Sequence, residues 1–272
     1  MSEVAARRPR KRFGQHFLRD CGVVARIVAA IAPGATDHLV EIGPGHGILT
    51  APLITRAECL DAIEIDRDLS AALAARYTDE PRLRVHTGDA LTFDFSQLVG
   101  RLRVVGNLPY NISTPLLFHL LEQRANIIDM HFMLQREVVE RITAAPGTRD
   151  WGRLGAMIQY HCEVDHLFDV GPDAFRPAPR VHSAVVRLRV RARPAVATIS
   201  EDHLRRLIAK LFTQRRKTVR NGLRGLVDSS GIRAAGVDPG LRPERLSLAE
   251  FARLADCWAV AENGARDAAD PT

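Results

Sequence analysis

Between His38 and Leu134, short apolar runs alternate with amphipathic stretches, and no other feature constrains the fold of this chain as strongly. The runs His38–Ile42, Cys59–Ile65, Arg82–His86, Leu102–Val105 and Ile128–Leu134 read as strands. Between them, Gly47–Arg56, Asp68–Tyr77 and Thr114–Gln123 place apolar residues at helical spacing. Strands separated by helices join through right-handed crossovers, so the sheet is expected to be mostly parallel, with helices on both faces. Ahead of this block, the helical pattern Cys21–Ala32 stops at Pro33-Gly34. A last strand, Ser183–Val190, carries alternating charges that suit a sheet edge. Arg191–Ile199 reads as a linker, and the pattern beyond it is only helical. Asp202–Phe212 and Arg216–Val227 are amphipathic, and the capping box Ser247-Leu248-Ala249-Glu250 opens a helix through Ala259. The expected organisation is a basic leader (1–20), an α/β domain (21–192) and a small all-helical domain (200–262).

Charge and cysteine usage narrow the function classes. No stretch approaches 18 uninterrupted apolar residues, which excludes a membrane-spanning helix. The basic leader lacks an apolar signal-peptide core, and the four cysteines are far apart with no C-x-x-C spacing. These features point to the reducing cytoplasm and away from a structural zinc site. Residues 1–26 carry seven Lys or Arg against two acids, and residues 191–272 carry fifteen against ten. The middle of the chain is mildly acidic. From His203 to Val227 there are eight Lys or Arg and no acid. Two basic ends around an acidic centre favour a polyanionic partner. Arg215, Arg216, Lys217 and Arg220 are the candidate phosphate contacts.

The strand ends carry the chemistry. The first strand runs into Glu41-Ile42-Gly43-Pro44-Gly45-His46-Gly47, where glycines let backbone approach a ligand beside a helix N-terminus. The spacing is G-x-G-x-G rather than the G-x-G-x-x-G of a dinucleotide site. Glu64 ends the second strand, 21 residues after Gly43, an offset at which an acid can accept both ribose hydroxyls of a nucleoside. Asp89 follows the third strand. Gly43, Gly45, Glu64 and Asp89 together suit an adenosine cofactor without a pyrophosphate, namely S-adenosylmethionine. After the fourth strand comes Asn107-Leu108-Pro109-Tyr110. The exocyclic amine of adenine is a poor nucleophile because its lone pair is delocalised into the ring. The Asn107 side-chain oxygen and a backbone carbonyl, of Leu108 or Pro109, could hold its two hydrogens and turn the lone pair toward a sulfonium methyl. Tyr110 would stack on the base. Such chemistry needs no metal.

Several segments together make the chain resemble the ribosomal RNA adenine dimethyltransferase family. They are Lys11-Arg12-Phe13-Gly14-Gln15-His16-Phe17-Leu18, the E-I-G-P-G-H-G turn, N-L-P-Y-N-I-S, Phe175-Arg176-Pro177-Ala178-Pro179-Arg180-Val181-His182-Ser183, and Phe212-Thr213-Gln214-Arg215-Arg216-Lys217-Thr218 with Asn221. The similarity spans about residues 10 to 260 and is greatest to the bacterial branch that dimethylates two adjacent adenosines in the 3′-terminal hairpin loop of 16S rRNA. The resemblance implies a Rossmann-like S-adenosylmethionine-dependent domain, an RNA-binding helical domain and a role in small-subunit biogenesis. It further implies that His16 and Leu18 bind the cofactor and that Phe175 sandwiches the target base against Tyr110. The family usually has Asn where this chain has His16. It also implies that a single copy meets 16S rRNA within a small-subunit assembly intermediate. Three alternatives stand beside it: a resistance enzyme acting on large-subunit rRNA, a DNA adenine methyltransferase, and an assembly factor in which binding outweighs catalysis.

Overall fold

The computed structural model describes residues 16–269. The leader residues before His16, including Arg7–Arg12, lie outside them. The chain divides into two compact units, Met1–Val139 with Glu163–Val190, and Glu140–Cys162 with Arg191–Thr272. The helical unit therefore draws in residues 140–162 as well, where a single boundary near 192 was expected.

The first unit contains β1 (Phe17–Leu18), α1 (Cys21–Ile31), β2 (His38–Ile42), α2 (Thr50–Ile54), β3 (Cys59–Glu64), α3 (Arg67–Arg76) and β4 (Leu83–Thr87). It continues with β5 (Leu102–Asn107), α4 (Ser113–Glu122) and β6 (Ile127–Gln135). After α5 (Arg136–Thr143) and α6 (Arg153–His161) come β7 (Cys162–Val170), β8 (Phe175–Arg176) and β9 (Ser183–Val190). Seven strands form one sheet in the order β4-β3-β2-β5-β6-β9-β7. From β4 to β6 the pairing is parallel. β9 runs antiparallel to β6. Every residue of β2 is buried, as a central strand covered on both faces requires. Helix α1 supplies part of that cover through Val24, Ile27, Val28 and Ile31, a stripe at i, i+3, i+4 and i+7. Asp20 starts it by accepting the Val23 N–H at 2.9 Å.

β2 has β3 on one side and β5 on the other, so the chain reverses its winding between β2 and β5. In an open parallel sheet the carboxyl ends of such neighbouring strands splay apart and leave a crevice. The G-x-G-x-G turn, Glu64, Asp89 and Asn107 all lie at that end.

Three expectations about the elements need correction. β9 is an interior strand, and β7 covers its outer side. Its charges are matched across the sheet: Arg187 donates to Asp165 at 3.1 Å and Arg189 to Glu163 at 2.9 Å. Charges that look like an edge in one strand are thus neutralised by a second charged strand. The helix expected over Gly47–Arg56 shortens to α2, since Gly43, Gly45 and Gly47 all have positive φ.

The third correction falls in the helical unit, made of α6 with α7 (Glu201–Thr213), α8 (Val219–Gly222), α9 (Ser229–Ala234) and α10 (Leu248–Ala269). Arg216–Val227 was expected to be one helix, but only α8 forms there. Gly225 at φ +82° breaks it, and Gly222 packs so tightly that an added Cβ would sit 2.7 Å from Leu211. The Ser247–Glu250 capping box is reciprocal: Glu250 accepts the Ser247 N–H at 2.7 Å, and Ser247 Oγ accepts the Glu250 N–H at 3.3 Å. The segment read as a linker is tied down, with Arg191 N–H on the His161 carbonyl and Ile199 N–H on Asp256.

Candidate active site

A cavity of about 200 Å³ opens at the carboxyl ends of β2, β3, β4 and β5. Its wall includes His16, Gly43, Gly45, Glu64, Asp89, Asn107, Pro109 and Tyr110 from the residues singled out in the sequence. Phe17, Ile65 and Leu108 also line it. Four parallel strands bring these residues together because each ends on the same rim.

The floor is the turn after β2. Gly43 and Gly45 adopt φ of +68° and +57°, in the left-handed region that L side chains rarely enter. A Cβ on Gly45 would stand 3.1 Å from the Phe17 ring. The Gly45 N–H donates to Glu64 Oε2 at 3.1 Å, and the Asp66 N–H donates to Oε1 at 2.9 Å. The Ile65 amide also bears on this carboxylate, which keeps acceptor capacity for a ligand hydroxyl. Burial pushes the Glu64 carboxyl above its usual range despite those three amides. Behind it, Glu41 is 2% exposed and accepts the Thr50 hydroxyl at 2.6 Å. Burial pushes Glu41 up to about 7; the Thr50 bond works against this and Glu64 reinforces it. On the next strand end, Asp89 fixes its own turn by accepting the Leu91 N–H at 2.9 Å.

These groups suit a nucleoside. Glu64 can accept hydroxyls, Asp89 can accept an amine, and Ile63, Ile65 and Ala90 offer an apolar wall for a ring. A close backbone contact keeps the crevice shaped: a Cβ on Gly106 would lie 2.5 Å from the Ile42 carbonyl. Ile65 is 44% exposed and lines the cavity, so its side chain is open to a ligand there. Nothing in the sequence distinguished it from a core residue.

The second half of the site is the turn after β5. Asn107 Nδ2 donates to the His16 carbonyl at 3.1 Å, which leaves Oδ1 as its acceptor. The Pro109 carbonyl accepts the Ile112 N–H at 3.2 Å, and the Tyr110 carbonyl accepts the Ser113 hydroxyl at 3.1 Å. The His16 ring stacks on Tyr110 with centroids 5.6 Å apart, and its Nδ1 donates to the Pro177 carbonyl at 2.8 Å. Burial raises the Tyr110 phenol pKa, although a hydrogen bond to Ser183 opposes the shift. His16 thus meets the Asn107 amide through its backbone, so this contact survives the change from Asn to His.

Two expected site residues lie elsewhere. Leu18 and Phe175 pair with each other between β1 and β8, are 4% and 1% exposed, and belong to the apolar core around α1. The cavity wall does not include them. Their spacing in the sequence is compatible with either place; only the packing of β1 against β8 turns them inward.

In the helical unit, Arg216, Lys217 and Arg220 are exposed, whereas Arg215 is half-buried. Arg215 Nη2 donates to the Arg149 carbonyl at 2.5 Å, and its Nε lies 3.8 Å from Glu244. The four basic residues occupy a turn and the short α8, not one helical face.

The family model described as ribosomal RNA adenine dimethylase matches residues 6–259 of this chain. The ribosomal RNA small subunit methyltransferase A of Pseudomonas putida is 55% identical over 264 residues, covering 94% of this chain and 97% of that protein. The protein of the same name from Alcanivorax borkumensis is 56% identical over 252 residues, covering 92% and 90%. Among solved structures, a dimethyladenosine transferase from Plasmodium falciparum superposes with a TM-score of 0.74 at 25% identity, over 88% of this chain and 96% of that one. The 23S rRNA methyltransferase ErmE gives 0.70 at 27% identity, over 89% and 99%.

Proposed function

The chain belongs to the ribosomal RNA adenine dimethylase family, and from that premise we propose that it dimethylates the N6 amines of two adjacent adenosines in the 3′-terminal hairpin loop of 16S rRNA. The observation that carries this reading is the fixed Asn107 amide in the wall of the cavity that Gly43, Glu64, Asp89 and Tyr110 also line. S-adenosylmethionine is the cofactor of this enzyme class, and when bound it supplies a methyl group carried on a positively charged sulfur. Glu64 would accept its ribose hydroxyls, Asp89 its ring amine, and Ile63 and Ile65 would flank the ring. The Gly43–Gly45 backbone would lie close against it.

The chain's own task is to orient the target amine. Asn107 Oδ1 accepts one amine hydrogen. The Leu108 carbonyl is the better second acceptor, since that of Pro109 already holds the Ile112 N–H. Fixing both hydrogens turns the nitrogen lone pair out of conjugation and aims it, a positioning effect preset by the His16–Asn107 bond. Tyr110 offers a ring face to replace the stacking that an extruded adenine loses. Arg216, Lys217 and Arg220 grip phosphates from the helical unit, and the basic leader adds to that grip.

The substrate is 16S rRNA within an assembling small subunit, met by one copy of the chain in the cytoplasm. The names of the close relatives and the exposed basic turn support this reading. Mass spectrometry of rRNA from cells lacking the protein tests it: both dimethyladenosines should vanish, and an Asn107→Ala copy should not restore them. Their persistence would refute the proposal. Parallel assays on naked rRNA and on isolated subunits, with sedimentation of the protein, test the substrate form and the single copy.

A further inference from the structure

The structure assigns Ser183, the first residue of β9, the role of positioning residue for the ring that stacks on the target base. This role presupposes the reaction proposed above. Ser183 is wholly buried, and its Oγ lies 2.8 Å from the phenol oxygen of Tyr110. The other end of Tyr110 is already pinned, because its backbone carbonyl accepts the Ser113 hydroxyl. What remains free is the side chain, with a preferred χ1 well and a broad χ2. A hydrogen bond at the far tip of the ring has the greatest leverage over both torsions. His16 bears on one face, at a centroid distance of 5.6 Å and an interplanar angle of 28°, but it fixes no direction as a hydroxyl pair does.

Ser183 acts from a rigid base. It stands opposite Gln135 in the antiparallel ladder between β9 and β6, and the next rung is reinforced by the Arg136 N–H on the His182 carbonyl. The motif from Phe175 to Ser183 therefore reaches the site through different atoms from those its aromatic end suggests. Its contacts there are the Pro177 carbonyl, which holds His16, and the Ser183 hydroxyl, which holds Tyr110. Phe175 anchors the segment in the core. The angle of the stacking ring matters because a displacement of about 1 Å at a reacting centre can cost about a hundredfold in rate.

The test compares Ser183→Ala, Tyr110→Phe and the double variant on small subunits carrying unmethylated rRNA. Each single change removes the same hydroxyl pair and should lower kcat about five- to tenfold. KM and the calorimetric affinity for S-adenosylmethionine should stay within about twofold of wild type. The double variant should be no slower than the slower single variant, since both lose one shared contact. Multiplying losses, or a Tyr110→Phe protein at the wild-type rate, would overturn the assignment. Should Ser183→Ala fail to fold, Tyr110→Phe retains Ser183 and still decides. A wild-type protein that methylates no rRNA adenine would instead refute the proposed reaction. A crystal structure of Ser183→Ala separates the two failures. A Tyr110 ring turned from its present plane supports the positioning role, and an unmoved ring overturns it whatever the activity.

Discussion

Replacing Glu41 by Gln should stabilise the protein at alkaline pH and change little at acid pH. Glu41 is buried under the cofactor turn, two residues before Gly43, and its carboxyl is pushed up to about 7 from 4.5, chiefly by burial. The folded state therefore holds the Glu41 proton more tightly than the unfolded chain. The stability that the protonated form contributes is complete below about pH 4.5 and is lost as pH rises through about 7. At about 1.36 kcal/mol per unit, the full loss amounts to about 3 kcal/mol, and about 2.5 kcal/mol of it develops between pH 5 and pH 8. Gln keeps the volume and an acceptor for the Thr50 hydroxyl but does not titrate. Urea unfolding of both proteins, followed by circular dichroism at pH 5, 6, 7 and 8, measures the difference. His38, raised by its bond to Asp61, also titrates, but it is present in both proteins and cancels. The gap should widen by about 2–3 kcal/mol in favour of Gln as pH rises. A gap that stays constant across this range would refute the burial argument.

Glu64→Ala should weaken S-adenosylmethionine binding by about 1–3 kcal/mol, because two hydroxyls lose their acceptor, while RNA affinity holds; calorimetry with each ligand checks both. Phe175→Ala should cost about 3–5 kcal/mol of stability, seen in urea midpoints, as a core deletion does. Phe175→Leu should keep near-normal turnover, and a large loss of kcat in that variant with intact stability would return the ring to the base pocket. Arg216→Ala with Lys217→Ala should flatten log RNA affinity against log salt by about 1–2 units, with cofactor affinity unchanged. Arg215→Ala should instead lower the melting temperature of the protein, since Arg215 is tied to Arg149 and Glu244.

Much of the site was legible because a parallel sheet does simple geometry. Every strand in the series from β2 to β5 points the same way, so a residue just past a strand end lands on one rim whatever the intervening helix contains. The G-x-G-x-G turn, Glu64, Asp89 and the Asn107–Tyr110 segment could thus be assigned to one cavity from their order along the chain. The chemistry of Asn-Leu-Pro-Tyr was equally local. What the sequence determined about this protein is the part in which neighbours along the chain are neighbours in space, or in which strand direction makes them so.

The tertiary structure decided what depends on partners far away in the chain. Asn107 is oriented by a carbonyl 91 residues distant, and Tyr110 by a hydroxyl 73 residues distant. Phe175 and Ser183 sit in one motif, yet the pairing of β1 with β8 sends the first into the core, while the pairing of β6 with β9 sets the second against the Tyr110 phenol. The charges of β9 suggested an edge until β7 supplied Glu163 and Asp165 opposite them. The basic run after α7 fits a helix by periodicity, but the packing of Gly222 against Leu211 and the positive φ of Gly225 break it. In each case a side chain has one local propensity and two possible environments. The choice between core, cavity and solvent is made by whichever surface the rest of the fold brings against it.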